Sequence, residues 1–312
     1  MEFIKNANFD FMGKRKVFLA ISVVIAVVGL VAAAAVPLGK ANLGIDFSGG
    51  VAVQYKFEKP FKADEVRDAL KKGGFPEADI QEFSGTNRLL VRIKGSMVTE
   101  GVAAKIDGAL KTALPDNPFE LDSTTEIGPT VGKRLQKDAL WAIVISLLAI
   151  LAYVWWRFEF RFGVAAIIAT FHDVLAVLAL FFILGNEINL LVITALLTIA
   201  GYSLTDTVVV FDRIRENLRK GSKDDLVPLI NRSVNEVLSR TIVTSGTTLI
   251  VLIALFFLGG EVIHDFSLAL AAGVIVGTYS SIFIASPLLL LWGGSKENLI
   301  KKEEPKKEEA YT

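Results

Sequence analysis

Six long apolar runs constrain this sequence more than any other feature. Each run is 17 to 27 residues long, and the charged residues are concentrated between the runs. About 20 residues of helix cross the ~30 Å hydrocarbon layer of a membrane. The sequence therefore predicts an α-helical membrane protein with six transmembrane helices, and it excludes a soluble or a disordered chain. The runs are Val17–Val36, Ala139–Trp156, Phe162–Leu184, Ile188–Phe211, Ile242–Leu258 and Phe266–Trp292.

The distribution of Lys and Arg orients these spans. Basic residues precede the first span, follow the second, fourth and sixth, and are absent from the loops Gly185–Glu187 and Gly259–Asp265. Basic loops stay on the cytoplasmic side. We therefore expect a multi-pass protein of the inner (cytoplasmic) membrane with both termini in the cytoplasm. A cleavable signal peptide is the alternative for the first span, but its apolar core exceeds the 7–15 residues of such signals, so we expect a retained anchor.

The long segment between the first two spans, residues 39–138, predicts one small α+β domain on the periplasmic, external side. Alternating apolar residues predict strands, and apolar residues at helical spacing predict helices. Their order is βαββαβ, the ferredoxin-like arrangement. The predicted strands are Val51–Phe57, Ile80–Phe83, Arg88–Lys94 and Phe119–Ile127, and the predicted helices are Lys62–Lys72 and Thr99–Leu114.

The rest of the chain divides into three parts. Residues 1–38 hold the cytoplasmic N-terminus and the first span, and residues 139–295 hold the other five spans with a cytoplasmic connector over 212–240. In this connector Asp224–Arg240 predicts an amphipathic helix that lies against the bundle, with a membrane sensor as the alternative. The Lys- and Glu-rich residues 296–312 predict a disordered cytoplasmic tail.

Composition excludes several functions. The formal net charge is zero, which gives no electrostatic bias toward nucleic acid. The chain has no Cys and two His, so a thiolate or His-rich metal site is excluded, and it lacks a P-loop sequence. We expect no metal, no cofactor and no covalent chemistry, and an ion gradient or a partner as the source of energy.

Only three residues of the six runs are His, Asp, Glu, Lys or Arg: His172, Asp173 and Asp206. An Asp inside a membrane helix costs at least ~2.5 kcal/mol and tends to mark an ion or proton pathway. Asp206 is expected at a depth similar to that of Arg240, which would allow a charge-assisted pair. The structural alternatives are an ion pair without a proton role for Asp206, an Arg240 that reaches to the membrane interface, and a helix–helix hydrogen bond for His172 and Asp173.

Polar residues at helical spacing accompany both members of the expected pair. Two stripes that end in opposite charges predict an interior polar path between the helices. The stripes are Thr198, Tyr202 and Asp206 on the fourth span, and Arg240, Thr244, Thr247 and Thr248 on the fifth. In the sixth span, Gly273 and Gly277 form a Gly-x-x-x-Gly motif, which indicates close helix packing.

Several segments resemble the SecD/SecF family of membrane proteins. The segment Gly44-Ile45-Asp46-Phe47-Ser48-Gly49-Gly50 resembles the signature that opens the external domain of this family. The other matches point to the SecF branch: residues 201–217 resemble its fourth span, 239–248 its fifth, 264–266 the loop that follows, and 279–282 its sixth.

This resemblance implies a subunit of the bacterial protein-export machinery within the resistance-nodulation-division superfamily. A SecD-like subunit would complete a twelve-span assembly in the lipid bilayer, with the SecYEG channel, a YajC-like accessory protein and the translocating polypeptide as further partners. The proton motive force would promote late steps of export. The resemblance implies proton coupling by Asp206 and Arg240, while Asp46 is expected to shape a turn and Gly49 and Gly50 to supply permissive backbone.

Two other functions remain open from the sequence. A proton-driven exporter of small molecules or lipids in the same superfamily is disfavoured, because such exporters usually carry twelve spans and two large external domains in one chain. A passive scaffold of a membrane complex would leave the costly Asp173 and Asp206 unexplained.

Overall fold

A computed structural model describes residues 8–83, 86–95, 101–220 and 225–293 of the chain. The tail predicted over residues 296–312 lies outside these residues, as do the first residues of the predicted helix Thr99–Leu114. The chain forms two compact units. The bundle unit comprises the described residues of Met1–Lys40, Ile145–Gly185 and Thr194–Thr312, and the α+β unit comprises those of Ala41–Val144 and Asn186–Ile193.

Ten α-helices and four strands make up the described part of the chain. In chain order they are α1 Arg15–Ala35, α2 Ile45–Ser48, β1 Gly50–Phe57, α3 Ala63–Lys72, β2 Asp79–Phe83, β3 Arg88–Lys94, α4 Val102–Ala113, β4 Phe119–Ile127, α5 Pro129–Arg157, α6 Phe160–Leu184, α7 Leu190–Arg219, α8 Leu226–Leu258, α9 Glu261–Ser280 and α10 Ser286–Gly293. One π-helical turn, Ser281–Ala285, joins α9 to α10.

The six predicted spans are confirmed. Helices α1, α5, α6, α7 and α8, and the continuous segment Val262–Leu291, are each long and apolar enough to cross a membrane. Three helices extend well beyond their apolar runs, because hydropathy detects only the apolar part of a helix. Helix α5 begins at Pro129, α7 ends at Arg219 and α8 begins at Leu226.

The connector is helical up to Arg219 and from Leu226 onward, but it is not a separate element. Its amphipathic part is the first half of α8, a single helix of 33 residues that continues into the fifth span. Leu229, Ile230 and Val234 on this half are fully buried in the core of the bundle unit. The prediction that this face packs on the bundle is therefore confirmed. The apolar residues of this face anchor the first half of α8 to the bundle unit.

The α+β unit contains an antiparallel sheet with the strand order β2-β3-β1-β4. The succession of β1, α3, β2, β3, α4 and β4 is the βαββαβ order that the sequence predicts. Val53 and Tyr55 of β1 and Val91 of β3 are fully buried and pack with Ile106 and Leu110 of α4. Alternate residues of the two central strands thus face the helices, as the period of two in a strand requires.

Gly49, which precedes β1, and Gly50, which begins it, occupy conformations and spaces that other residues do not tolerate. Gly49 has φ 71° and Gly50 has φ 146°, which L residues with a side chain rarely adopt. A Cβ on Gly50 would lie 2.3 Å from the carbonyl oxygen of Ile93. The signature therefore lets the chain turn tightly into the central strand.

Candidate functional site

Asp206 lies at the meeting point of three helices of the bundle unit. Its side chain is 6% exposed. Its Oδ2 atom accepts hydrogen bonds from Ser245 Oγ of α8 at 3.3 Å and from Thr278 Oγ1 of α9 at 3.4 Å. The two hydroxyl groups lie 2.6 Å apart. In the described part of the chain this carboxyl group therefore accepts hydrogen bonds from neutral hydroxyl groups, and no cation bonds to it directly.

Arg240 does not form the ion pair with Asp206 that the sequence predicts. Among the described residues, no basic side chain lies within 4 Å of Asp206, and Arg240 is exposed at the surface of this chain. Its charge acts on Asp206 only through space. The reason is helix geometry: Ser245 follows Arg240 by five residues, which rotates it by about 140° around α8, and Ser245 is the residue that faces Asp206.

Most of the stripe on the fifth span is exposed at the surface of this chain, and only Thr248 is half-buried. Thr244 is exposed and donates to the carbonyl oxygen of Arg240 at 2.9 Å, and Thr248 donates to that of Thr244 at 3.0 Å. Tyr202 on α7 is half-buried, and its hydroxyl group finds no hydrogen-bond partner in the described residues. In the described residues Thr244 and Thr248 thus form hydrogen bonds within α8 itself, and the interior path through them stays a prediction.

Asp173 forms a second buried carboxyl site within the same unit. It lies on α6, is 0% exposed, and its Oδ2 accepts hydrogen bonds from Ser203 of α7 and, at 2.7 Å, from Ser280 of α9. His172 Nδ1 lies 3.1 Å from Oδ1, while its buried Nε2 has no partner in the described residues. This carboxyl group joins three helices, which agrees with the structural alternative of a helix–helix hydrogen bond.

A run of polar residues at the end of α9 supplies donors to both carboxyl groups. Thr278 contacts Asp206 and Ser280 contacts Asp173. The π-helical turn follows at once, and Ser286 Oγ donates to the carbonyl oxygen of Ser281 at 2.9 Å. Such turns are frequent at functional sites. Thr278 and Ser280 are two residues apart, about 200° around α9, so they face two different neighbouring helices.

The Gly-x-x-x-Gly motif sets the separation of α7 and α9. A Cβ on Gly273 would lie 2.3 Å from Cγ1 and Cδ1 of Ile199, and a Cβ on Gly277 would lie 3.1 Å from Cβ of Ser203. Close packing at this motif is confirmed. Because Ser203 bonds Asp173, the motif also holds the two carboxyl sites in their hydrogen-bonding geometry.

Four hydroxyl donors and one acidic residue of these sites were not predicted from the sequence. The donors are Ser203, Ser245, Thr278 and Ser280. The last three lie in polar runs inside apolar spans, residues 244–248 and 278–281, and this was the signal that could have found them. The missed acid is Glu187, between α6 and α7, which is 5% exposed and contacts Arg92 and Lys94. Burial raises the pKa of Glu187, and the two cations oppose this.

Asp46 has a role beyond the expected turn. It lies in α2, and its Oδ2 accepts a hydrogen bond from the backbone nitrogen of Leu190 at 2.9 Å, at the first residue of α7. The described residues include no group of three or more His, Cys, Asp or Glu that could hold a metal ion.

Comparison with known proteins places the whole chain in one family. Residues 109–295 match the family described as "Protein export membrane protein SecD/SecF, C-terminal", and residues 40–61 match the "SecD/SecF GG Motif". A protein from Thermodesulfovibrio yellowstonii named "Protein translocase subunit SecF" is 51% identical over 97% of this chain and 100% of its own length. A protein of the same name from Vibrio alginolyticus is 43% identical over 85% of this chain and 84% of its own.

Solved structures agree with this assignment. The crystal structure of SecDF from Thermus thermophilus, described as a translocon-associated membrane protein, is 37% identical and matches 93% of this chain with a TM-score of 0.81. A second SecDF structure, in the super-membrane-facing form, gives a TM-score of 0.68 at 36% identity. This chain spans 39% of the first SecDF chain and 40% of the second. It therefore belongs to the SecD/SecF family of protein export membrane proteins, and its full-length relatives are SecF subunits.

Proposed function

We propose that this chain is the SecF subunit of a Sec protein translocase, and that with a SecD-like partner it uses the proton motive force to promote late steps of polypeptide export through SecYEG. Asp206 is the proton-binding group, and Arg240 is the counter-charge that approaches it in one state of the cycle. The chain forms and breaks no covalent bond.

The single observation that carries this proposal is the environment of Asp206. A buried carboxyl group whose hydrogen-bond donors among the described residues are the hydroxyls of Ser245 and Thr278 can exist as the neutral acid. Hydroxyl groups can accept as well as donate, so both forms of the carboxyl group keep hydrogen-bond partners. A change of protonation therefore leaves no orphaned polar atom, which suits a group that must gain and lose a proton in each cycle.

The energy available to such a group is sufficient for a motor. One proton moved across 100 mV releases about 2.3 kcal/mol, which shifts a two-state equilibrium roughly fifty-fold. In the state described here Arg240 lies away from Asp206. We assign this state to the protonated carboxyl group, and we expect Arg240 to approach when the proton leaves.

A SecD-like partner is supported by two facts. The solved SecDF chains are about two and a half times as long as the part that matches this chain. In this chain alone Arg240 is exposed just before the apolar run of the fifth span, and a charge close to the hydrocarbon layer is costly unless it reaches the interface or a partner. A second bundle packed on this face would cover it. The alternation of basic loops further supports cytoplasmic termini and an external α+β unit in the inner membrane.

The test replaces Asp206 by Asn, which keeps size and hydrogen bonding but removes the titration. In inverted membrane vesicles that hold the translocase, Asp206→Asn is expected to lose gradient-dependent export while membrane insertion and partner binding persist. The matched control is Glu216→Gln on the same helix, an exposed acid in surface ion pairs, which are worth little. Full gradient-dependent export by Asp206→Asn would refute the proton role.

A further inference from the structure

The loop between α6 and α7 belongs structurally to the α+β unit. Residues Asn186–Ile193, which include the first turn of α7, group with the sheet and not with the bundle. Helix α7 then runs without interruption from Leu190 to Arg219 and carries Asp206. Asp206 lies 16 residues after Leu190, which is about 24 Å along the helix axis. One continuous helix thus has its first turn in the α+β unit and carries Asp206 further along.

Backbone hydrogen bonds form the first part of the attachment. The nitrogen of Gly44 donates to the carbonyl oxygen of Ile188 at 2.9 Å, and the nitrogen of Ile188 donates to that of Asn42 at 2.8 Å. Leu43 and Ile188 therefore form a parallel bridge. A Cβ on Gly44 would lie 3.0 Å from Cβ of Asn189, so this glycine of the signature permits the close approach.

Asp46 forms the second part. Its carboxylate accepts the hydrogen bond of the Leu190 nitrogen, while Asn189 Oδ1 accepts that of Val192 at 2.9 Å. The first nitrogen atoms of a helix have no partner within it, and a carboxylate there is also favoured by the helix dipole. The signature segment therefore caps α7 from outside the helix.

Glu187 forms the third part. Its Oε2 lies 3.1 Å from Arg92 Nε and its Oε1 lies 2.6 Å from Lys94 Nζ, both on β3. Asp79 of β2 lies 3.8 Å from Arg92, and Lys94 also donates to Asn42 at 2.6 Å. Two cations and two carboxylates thus lie close together. Glu187 is more buried than either Arg92 or Lys94, the two cations that it contacts.

We infer that these three contacts form a permanent clamp, through which the α+β unit and the first turn of α7 move as one body. Glu187 and Asp46 are positioning residues and do not bind the transported proton. Protonation of Asp206 displaces α7, and these two residues transmit that displacement to the α+β unit. This inference rests on the proposed function.

The test opens the clamp by charge reversal and closes it again by a covalent bond. Glu187→Lys places a third cation beside Arg92 and Lys94, and it is expected to lower gradient-dependent export at least about tenfold, as 1.4 kcal/mol of lost coupling would. Glu82→Lys is the matched control, because Glu82 is an exposed acid of β2. Asp46→Ala, which removes only the cap, is a milder second variant and is expected to lower export in the same direction.

A disulfide between Leu43→Cys and Ile188→Cys then replaces the lost contacts. Paired strands lie 4.7–4.9 Å apart, within the Cα separation that a disulfide spans, and the chain contains no other Cys. In the Glu187→Lys background, oxidation is expected to restore export and reduction to abolish it again. When Glu187 is unchanged, the double-cysteine protein is expected to support the same export after oxidation as after reduction. If the oxidised protein with native Glu187 stops exporting, the clamp must open during the cycle and the inference is overturned. If oxidation does not restore export in the Glu187→Lys background, the clamp does not transmit the displacement of α7.

A second measurement separates this inference from the proposed function. A hydrophobic carbodiimide modifies a protonated carboxyl group, so the pH dependence of labelling at Asp206 reports its protonation. Glu187→Lys and Asp46→Ala are expected to keep this labelling and lose export, which is an uncoupled phenotype that misfolding does not produce. Loss of Asp206 labelling in the clamp variants would overturn the clamp, whereas an Asp206 that never labels in the parent protein would overturn the proton role instead.

Discussion

The substitution Gly273→Ala tests the link between helix packing and the carboxyl sites. A methyl group at this position would lie 2.3 Å from Cγ1 and Cδ1 of Ile199, whereas carbon atoms in contact prefer 3.5–4.0 Å. Ile199 is 1% exposed and has a stiff χ1 in a helix. Since its side chain cannot turn away, α7 and α9 must separate by about 1 Å at this level.

The magnitude follows from three contributions. Overpacking of this kind costs about 1–3 kcal/mol. The hydrogen bond from Thr278 to Asp206 is already 3.4 Å long, so separation removes it at a further cost of about 1 kcal/mol. The higher helix propensity of Ala returns about 1 kcal/mol. We expect a net loss of about 1–3 kcal/mol in the free energy of unfolding, together with weakened gradient-dependent export.

The assay compares denaturant-induced unfolding in detergent and export in vesicles for Gly273→Ala and Gly246→Ala. A Cβ on Gly246 would meet nothing within 4 Å. This control therefore gains helix propensity without a steric clash, and its free energy of unfolding is expected to be unchanged or slightly higher. Adding Ile199→Ala to Gly273→Ala should recover part of the export, because the cavity accepts the new methyl group. Equal stability and export of Gly273→Ala and Gly246→Ala would refute the argument from packing.

Three further substitutions test the charged and buried groups. Arg240→Met should favour the neutral form of Asp206 and reduce export as Asp206→Asn does, and in the same vesicle assay the double variant should be no worse than either single one. Ser280→Ala removes one donor from Asp173 and should lower the free energy of unfolding in detergent by about 1.5–3 kcal/mol; an unchanged value would contradict the role of this hydrogen bond. Burial raises the pKa of Tyr55, whose hydroxyl group has no partner in the described residues. The neutral phenol is therefore the form that folding favours, and its contribution to stability is present below pH ~10 and lost as the pH rises toward the raised pKa. Tyr55→Phe should unfold with less dependence on alkaline pH than the parent, which a denaturant series at several pH values would measure.

The elements of this protein were predictable because their signals are local. A run such as Phe162–Leu184 is apolar over the thickness of a membrane, and Arg88–Lys94 alternates as a half-buried strand does. The predicted strand Arg88–Lys94 has the same bounds in the structure, and α6 begins two residues before its predicted start. Helices α7 and α8 extend beyond their apolar runs because their flanking parts pack on the bundle by one face only.

The sequence by itself also determined which groups needed an explanation, since an Asp in a membrane span is costly whatever surrounds it. Only the tertiary structure decided the partners of these groups. The rotation of α8 about its axis presents Ser245 rather than Arg240 to Asp206, and the contact of Gly273 with Ile199 brings α9 close enough for its hydroxyls to reach both carboxyl groups. The contact of Glu187 with Arg92 and Lys94 joins residues that are far apart in the chain. Rotation, separation and long-range pairing depend on how helices and strands pack together, and no local pattern of residues encodes them.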